Sequence, residues 1–124
     1  MNPTKVAIIE DDIAISQMYR LKFETEGYDV ETANNGKVGL ELVQEFSPDI
    51  ILLDLMMPIM TGDEMLAELR KKSWGKKVPV IILTNMGEEE APAALKRLGV
   101  HSYIVKAEMT PRQVAERVKL ALSK

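Results

Sequence analysis

Two patterns of apolar positions alternate along the chain. Val6-Ala7-Ile8-Ile9, Ile50-Ile51-Leu52-Leu53 and Val78-Pro79-Val80-Ile81-Ile82-Leu83 are short apolar runs uninterrupted by polar residues. Such runs suit strands covered on both faces, as in a parallel sheet. Tyr28-Asp29-Val30-Glu31-Thr32-Ala33 alternates more and reads as a strand nearer an edge, and His101-Ser102-Tyr103-Ile104-Val105 is a fifth strand. Between the strands the spacing becomes helical. Ile15, Met18, Tyr19 and Phe23 form one stripe, and Leu40, Val43 and Phe46 a weaker one. Met65, Leu66 and Leu69 follow Gly62. Ala91, Ala94, Leu95 and Leu98 form another stripe, and Val114, Ala115, Val118, Ala121 and Leu122 the cleanest. Gly27 and Gly99 are placed to end helices, and Thr110-Pro111 to begin one. Strand and helix alternate five times, which predicts an α/β domain: a parallel sheet with right-handed crossovers and helices on both faces.

Length and composition narrow the class. A chain of 124 residues has room for one domain, spanning 1–124, with a core that needs no metal or disulfide to fold. Zero cysteines exclude a thiolate metal site and a cysteine nucleophile, and the single histidine, His101, excludes a multi-histidine site. No apolar stretch approaches the ~18 residues of a membrane span. Met1-Asn2-Pro3-Thr4 lacks the apolar core of a signal peptide, so a cytoplasmic protein is the expectation. The net charge of −3 conceals an asymmetry. Residues 1–90 carry 9 basic and 17 acidic side chains, whereas residues 91–124 carry 7 and 2. Solvated helix faces account for such an excess, and so does a basic docking surface near the C-terminus. The stretch Lys71-Lys72-Ser73-Trp74-Gly75-Lys76-Lys77, basic with one aromatic, could contact nucleic acid but reads first as a solvated loop.

In folds of this kind ligands bind beyond the carboxyl ends of the strands. Glu10, Asp11 and Asp12 follow the first strand, Asp54 ends the third, Thr84 and Asn85 the fourth, and Lys106 the fifth. Taken singly these are ordinary: Asp12 suits a helix N-cap, Thr84 a turn, Lys106 a solvated position. Together they bring carboxylates to one edge, where like charges repel and raise each other's pKa. A divalent cation relieves that repulsion, and an all-oxygen site with few protein ligands suits Mg2+. Lys106 and the Thr84 hydroxyl can then hold a phosphoryl group, and a carboxylate can itself be the nucleophile.

Glu10-Asp11-Asp12, Asp54-Leu55-Met56-Met57-Pro58, Gly62, Leu83-Thr84 and Tyr103-Ile104-Val105-Lys106 together resemble the receiver domain of two-component response regulators, over essentially the whole chain. The resemblance implies a flavodoxin-like sheet of five parallel strands in the order 2-1-3-4-5. It makes Asp54 the phosphoacceptor, supplied by a sensor histidine kinase or a phosphotransfer protein. Glu10 and Asp11, with Asp54 and the Met56 backbone carbonyl, would hold Mg2+. Thr84 and Lys106 would engage the phosphoryl group, and Tyr103 would move with Thr84 as the switch. The family's output surface of fourth helix, fifth strand and fifth helix is locally basic here, at Lys96, Arg97, Arg112, Arg117 and Lys119. It implies a downstream protein target with acidic residues and allows phosphorylation-dependent pairing of two copies. Neither a membrane nor a direct nucleic-acid contact by this domain is expected.

Two positions depart from the family pattern. Ala107 follows Lys106 where proline is frequent, and a cis bond without proline costs about 2.5–4 kcal/mol, so trans is expected. Pro92 falls within the fourth helix, which is therefore expected to start near Ala91, after an acidic, mobile Gly87-Glu88-Glu89-Glu90 lead-in. Three other functions remain open. The chain is a receiver module of a longer, for instance DNA-binding, regulator. It is a Mg2+-dependent phosphohydrolase, although Met56 stands where such enzymes carry a second acid. Or it is a flavodoxin-like electron carrier, although Glu10-Asp11-Asp12 would repel a flavin phosphate.

Overall fold

The computed structural model describes residues 3–123, so Met1, Asn2 and Lys124 of the expected 1–124 domain lie outside it. Five strands, β1 (Lys5–Ile9), β2 (Asp29–Ala33), β3 (Ile50–Leu53), β4 (Val80–Thr84) and β5 (Ser102–Val105), alternate with five helices. These are α1 (Ile13–Thr25), α2 (Gly36–Phe46), α3 (Gly62–Lys71), α4 (Ala94–Leu98) and α5 (Pro111–Leu122). All neighbouring strands are parallel, in the order β2-β1-β3-β4-β5. The predicted edge position of β2 is observed.

The uninterrupted apolar runs are explained by two cores. Successive side chains of a strand point to opposite faces. Val6, Ile8, Ile50, Leu52, Ile81 and Leu83 meet α1 and α5 through Tyr19, Phe23, Val114 and Val118. Their neighbours Ile9, Ile51, Leu53 and Ile82 meet α2, α3 and α4 through Val43, Met65, Leu69 and Leu95. Polar residues inside β1, β3 or β4 would face a core on either side.

The helix boundaries follow local chemistry. The Asp12 side chain accepts the Ile15 amide at 3.0 Å, which confirms the N-cap. Thr110 and Gln113 form a reciprocal capping box ahead of α5. Gly27 and Gly99 have φ of 93° and 74°, the left-handed region that ends helices. Three expectations are corrected. Met18 is 42% exposed, because the buried line of α1 runs through Ser16, Tyr19 and Phe23, and Met18 lies on the opposite side of the helix. The fourth strand begins at Val80, not Val78. The fourth helix begins at Ala94, not Ala91. Ala91 is extended, with ψ 148°, as the residue before proline is driven to be. The Pro92 carbonyl accepts the Leu95 amide at 3.1 Å from just outside the helix. The acidic lead-in is one 3-10 turn, Glu88–Glu90. The Lys106–Ala107 bond is trans, since no cis bond occurs among the described residues.

Candidate functional site

The chain leaves β1 for β2 on one side and returns to β3 on the other, so the crevice of the fold opens where β1 and β3 end. Both strands extend their ladders by one acidic residue. The Glu10 amide donates to the Ala33 carbonyl at 2.9 Å, and the Asp54 amide to the Ile9 carbonyl at 3.0 Å. The two carboxyl groups therefore sit on rigid backbone at adjacent strand ends. Glu10 is 4% exposed and Asp54 5%, whereas Asp11 faces solvent. One carboxylate oxygen from each of Glu10, Asp11 and Asp54 lies within 4.8 Å of the others.

Lys106 reaches this group from the end of β5. Its ammonium donates to Asp54 Oδ2 at 3.1 Å and also contacts Glu10 Oε1. The second oxygen of each carboxylate is held by backbone: Glu10 Oε2 accepts the Asp12 amide at 3.1 Å and Asp54 Oδ1 the Met56 amide at 3.2 Å. Burial dominates the titration of Glu10 and, with the Asp54 charge, outweighs the Lys106 and Asp12 hydrogen bonds, raising its pKa from 4.5 to about 7. Burial would lower the pKa of Lys106, but its bonds to Glu10 and the charge of Asp54 raise it overall. One cation among three carboxyl groups leaves an excess of negative charge in a largely dry place. An all-oxygen donor set of this kind fits a hard divalent cation.

The loop after β3 is shaped to keep this arrangement. A Cβ at Gly62 would stand 2.1 Å from the Asp54 carbonyl oxygen, so only glycine lets α3 start this close to Asp54. The Met60 amide turns back to the Pro58 carbonyl at 2.7 Å, which places Ile59 at φ 71°, a costly conformation for a β-branched residue.

Thr84 is fully buried. Its hydroxyl oxygen accepts the Met86 amide at 3.4 Å, while the Tyr103 hydroxyl donates to the Met86 carbonyl at 2.8 Å. The two expected switch residues are thus joined through the backbone of one loop residue, a link the sequence did not reveal. Three of the basic residues expected on the output surface border two different hollows. Arg112 and Lys119 line a groove between α1 and α5 with Lys22, Glu26 and Glu116. Lys96 instead borders a hollow of about 330 Å³ between α4 and β5, with Glu88, Glu89 and Tyr103. Helical periodicity sets Arg112, Glu116 and Lys119 on one stripe and Arg117 on another.

Sequence reasoning also missed an apolar rim. Ile13, Val38, Met56 and Ile59 are 43–78% exposed and stand beyond the carboxyl ends of the strands, in the first turns of α1 and α2 and in the loop after β3. Ile13 next to the Asp12 cap was the available signal. His101 is exposed, with Nδ1 2.8 Å from the Ser102 hydroxyl, and lies outside the site. No helix among the described residues is long and apolar enough to cross a membrane.

Comparison with known proteins agrees with this geometry. The family model of the response regulator receiver domain matches residues 6–119. The chain is 38% identical over 121 residues to the transcriptional regulatory protein ResD of Bacillus subtilis, covering 98% of this chain and 49% of that protein. It is 36% identical over 118 residues to the phosphate regulon transcriptional regulatory protein PhoB of Rhizobium meliloti, covering 95% and 52%. The chain therefore spans about half the length of these curated relatives. Among solved structures, a CheY-like receiver domain protein from Methanospirillum hungatei superposes with a TM-score of 0.90 at 28% identity, covering 98% of this chain and 95% of that one. Fold, edge chemistry and sequence kinship converge, and the chain belongs to the receiver domain family of two-component response regulators.

Proposed function

We propose that this chain is a phosphoacceptor switch in which Asp54 takes a phosphoryl group from a sensor histidine kinase or phosphotransfer protein. The observation that carries this reading is the buried Asp54 carboxylate, fixed by the Lys106 ammonium and the Met56 amide beside Glu10 and Asp11. An Asp54 oxygen attacks phosphorus as the bond to the donor's nitrogen or oxygen breaks, and the leaving group takes the electron pair. Glu10, Asp11, Asp54 and the Met56 carbonyl would hold Mg2+, which when bound supplies charge neutralisation to the phosphoryl oxygens. Lys106, already on Asp54, is in reach of one of those oxygens. Thr84 leaves the Met86 amide for another, which frees the loop whose carbonyl Tyr103 holds. The apolar rim of Ile13, Val38, Met56 and Ile59 supports docking of a protein donor over the site.

Phosphorylation then alters binding at α4, β5 and α5. The hollow there is lined by Glu88, Glu89 and Lys96 together with the apolar Ala91, Pro92 and Leu95. A two-fold pairing of copies would set Lys96 of each against the glutamates of the other, because such interfaces are self-complementary. The half-length match to transcriptional regulators supports a second setting, in which the chain acts as the receiver module of a longer regulator.

Intact mass spectrometry after treatment with acetyl phosphate tests the assignment. One phosphoryl group is expected with Mg2+ and none with chelator or in Asp54→Asn. Unchanged labelling of Asp54→Asn would overturn it. Lys106→Ala should keep metal binding and lose signalling, since the cation goes while the carboxylates stay.

A further inference from the structure

The edge opposite Asp54 carries a second concentration of charge that phosphoryl transfer does not use. Arg70 and Lys71 end α3, Lys76 and Lys77 approach β4, and His101 precedes β5. Because the strands are parallel, these residues lie at the amino end of the sheet. Arg70, Lys76, Lys77 and His101 line a shallow hollow of about 380 Å³. Its wall is apolar, formed by Val78, Pro79, Leu98 and Val100, and its rim carries Lys76, Lys77 and His101.

Arg70 gives the hollow a fixed shape. Its guanidinium donates to the carbonyls of Leu98 at 2.7 Å, Val78 and Gly99 at 2.8 Å and Gly75 at 2.9 Å. The last turn of α3, the approach to β4 and the end of α4 are thereby tied together before any partner arrives. Four carbonyls accept from it, and no carboxylate among the described residues neutralises its charge. Lys71 is paired with Glu68, but Lys72, Lys76 and Lys77 are exposed and take part in no ion pair among the described residues.

We propose that this amino edge of β4 and β5 is a docking surface for an acidic segment of a partner protein. One apolar side chain of that segment seats against Val78, Leu98 and Val100, and flanking carboxylates meet Lys76 and Lys77. Charge complementarity sets the sign of the partner, and the apolar wall sets its kind. A nucleic-acid backbone would satisfy the lysines but leave the wall without a counterpart. The rim charges speed encounter and make it salt-dependent. The surface lies at the opposite end of the sheet from Asp54, so it is available whether or not Asp54 is phosphorylated, and the inference stands apart from the proposed phosphoryl transfer.

Fluorescence anisotropy with the full chain tests it. The probes are a labelled heptapeptide, Asp-Glu-Glu-Leu-Glu-Asp-Glu, the same peptide with Ser in place of Leu, and a labelled twelve-base-pair DNA duplex. The leucine peptide should bind about tenfold more tightly than the serine peptide, the gain of burying one such side chain. Lys76→Glu with Lys77→Glu should weaken it about tenfold or more, and Asp54→Asn should leave it unchanged. Amide shifts in the unaltered protein should move at Val78 and from Leu98 to His101. Equal affinity for the two peptides, tighter binding of the duplex, indifference to the double substitution, or shifts confined to other residues would each overturn the proposal.

Discussion

Glu10 and Met56 show how much one side chain decides at the site. Glu10 is as buried as Asp54 and shares Lys106 with it, and its pKa of about 7 makes the metal-free protein pH-sensitive. The folded chain keeps the Glu10 proton up to about pH 7, whereas the unfolded chain releases it near 4.5. Its contribution to stability is therefore complete below pH 4.5 and is lost as pH rises through 7. Urea titrations in chelator should show stability falling by on the order of 3 kcal/mol across that window. Glu10→Gln should flatten the slope, and a slope unchanged in that variant would assign it to other groups. If Asp54 is the phosphoacceptor as proposed, Met56 and Met86 would bear on the lifetime of its phosphoryl group. In the family, the positions two beyond the phosphoacceptor and two beyond the threonine flank the path of attacking water. In the unphosphorylated chain the Met86 backbone is held by Thr84 and Tyr103, so a substitution there alters the side chain without removing those two bonds. Neither methionine orients water, and each tenfold slowing needs only about 1.4 kcal/mol. Met56→Asn with Met86→Glu should speed decay of the phosphorylated form severalfold after donor removal. Equal decay would show that these side chains do not gate the water.

Among the elements, α4 is the least self-sufficient. It has five residues and no side-chain cap at its start, far below the length at which helices stand alone. Its ends are held from elsewhere: Tyr103 bonds the loop that leads into it, and Arg70 bonds the Leu98 and Gly99 carbonyls at its close. The end next to Tyr103 is coupled to Thr84 through Met86, whereas the Arg70 end is not. Arg70→Met removes four hydrogen bonds and leaves part-buried carbonyls without donors. The expected cost is about 2–4 kcal/mol, given 1–3 kcal/mol for each group left unsatisfied and relief by water at the exposed ones. The urea midpoint should fall with the slope unchanged. A loss below about 0.5 kcal/mol would show that water replaces the guanidinium fully.

For the molecule as a whole, charge is sorted by surface rather than by position in the chain. Glu10, Asp11 and Asp54 gather at the carboxyl end of the sheet, and the amino end of β4 and β5 carries Arg70, Lys76 and Lys77. The hollow between α4 and β5 carries both signs, which argues for like pairing with like on phosphorylation. Sedimentation velocity after acetyl phosphate treatment should show a dimer. Lys96→Glu should weaken it, and adding Glu89→Lys to the same chain should restore it, because the two-fold axis brings each altered residue to the other. Arg112→Glu with Lys119→Glu should have no effect, since those residues line the groove beside α1. A dimer indifferent to Lys96→Glu would place the interface elsewhere.

Several features followed from the residues alone because their causes are local. A strand covered on both faces has no polar face, so β1, β3 and β4 announced themselves as apolar runs. Asp12, Gly27, Gly99 and the Thr110-Pro111 start are read from backbone chemistry within a few residues. The acids and Lys106 were legible as a set because parallel strands carry every residue that follows them to one edge. The strand order came from family resemblance, and the structure bears it out. What tertiary structure decided is what depends on partners distant in sequence. Pro92 warned of a broken helix, but the start of α4 depends on Ala91 being extended and on packing of Leu95. The place of Arg112 and Lys119 in the groove beside α1 depends on which stripe of α5 lies against α1. The shared hold of Thr84 and Tyr103 on Met86, and of Arg70 on three segments, arises from contacts up to 29 residues apart in the chain. No local pattern encodes such contacts, because the carbonyls that accept them are alike in every residue and are distinguished only by where the fold leaves them.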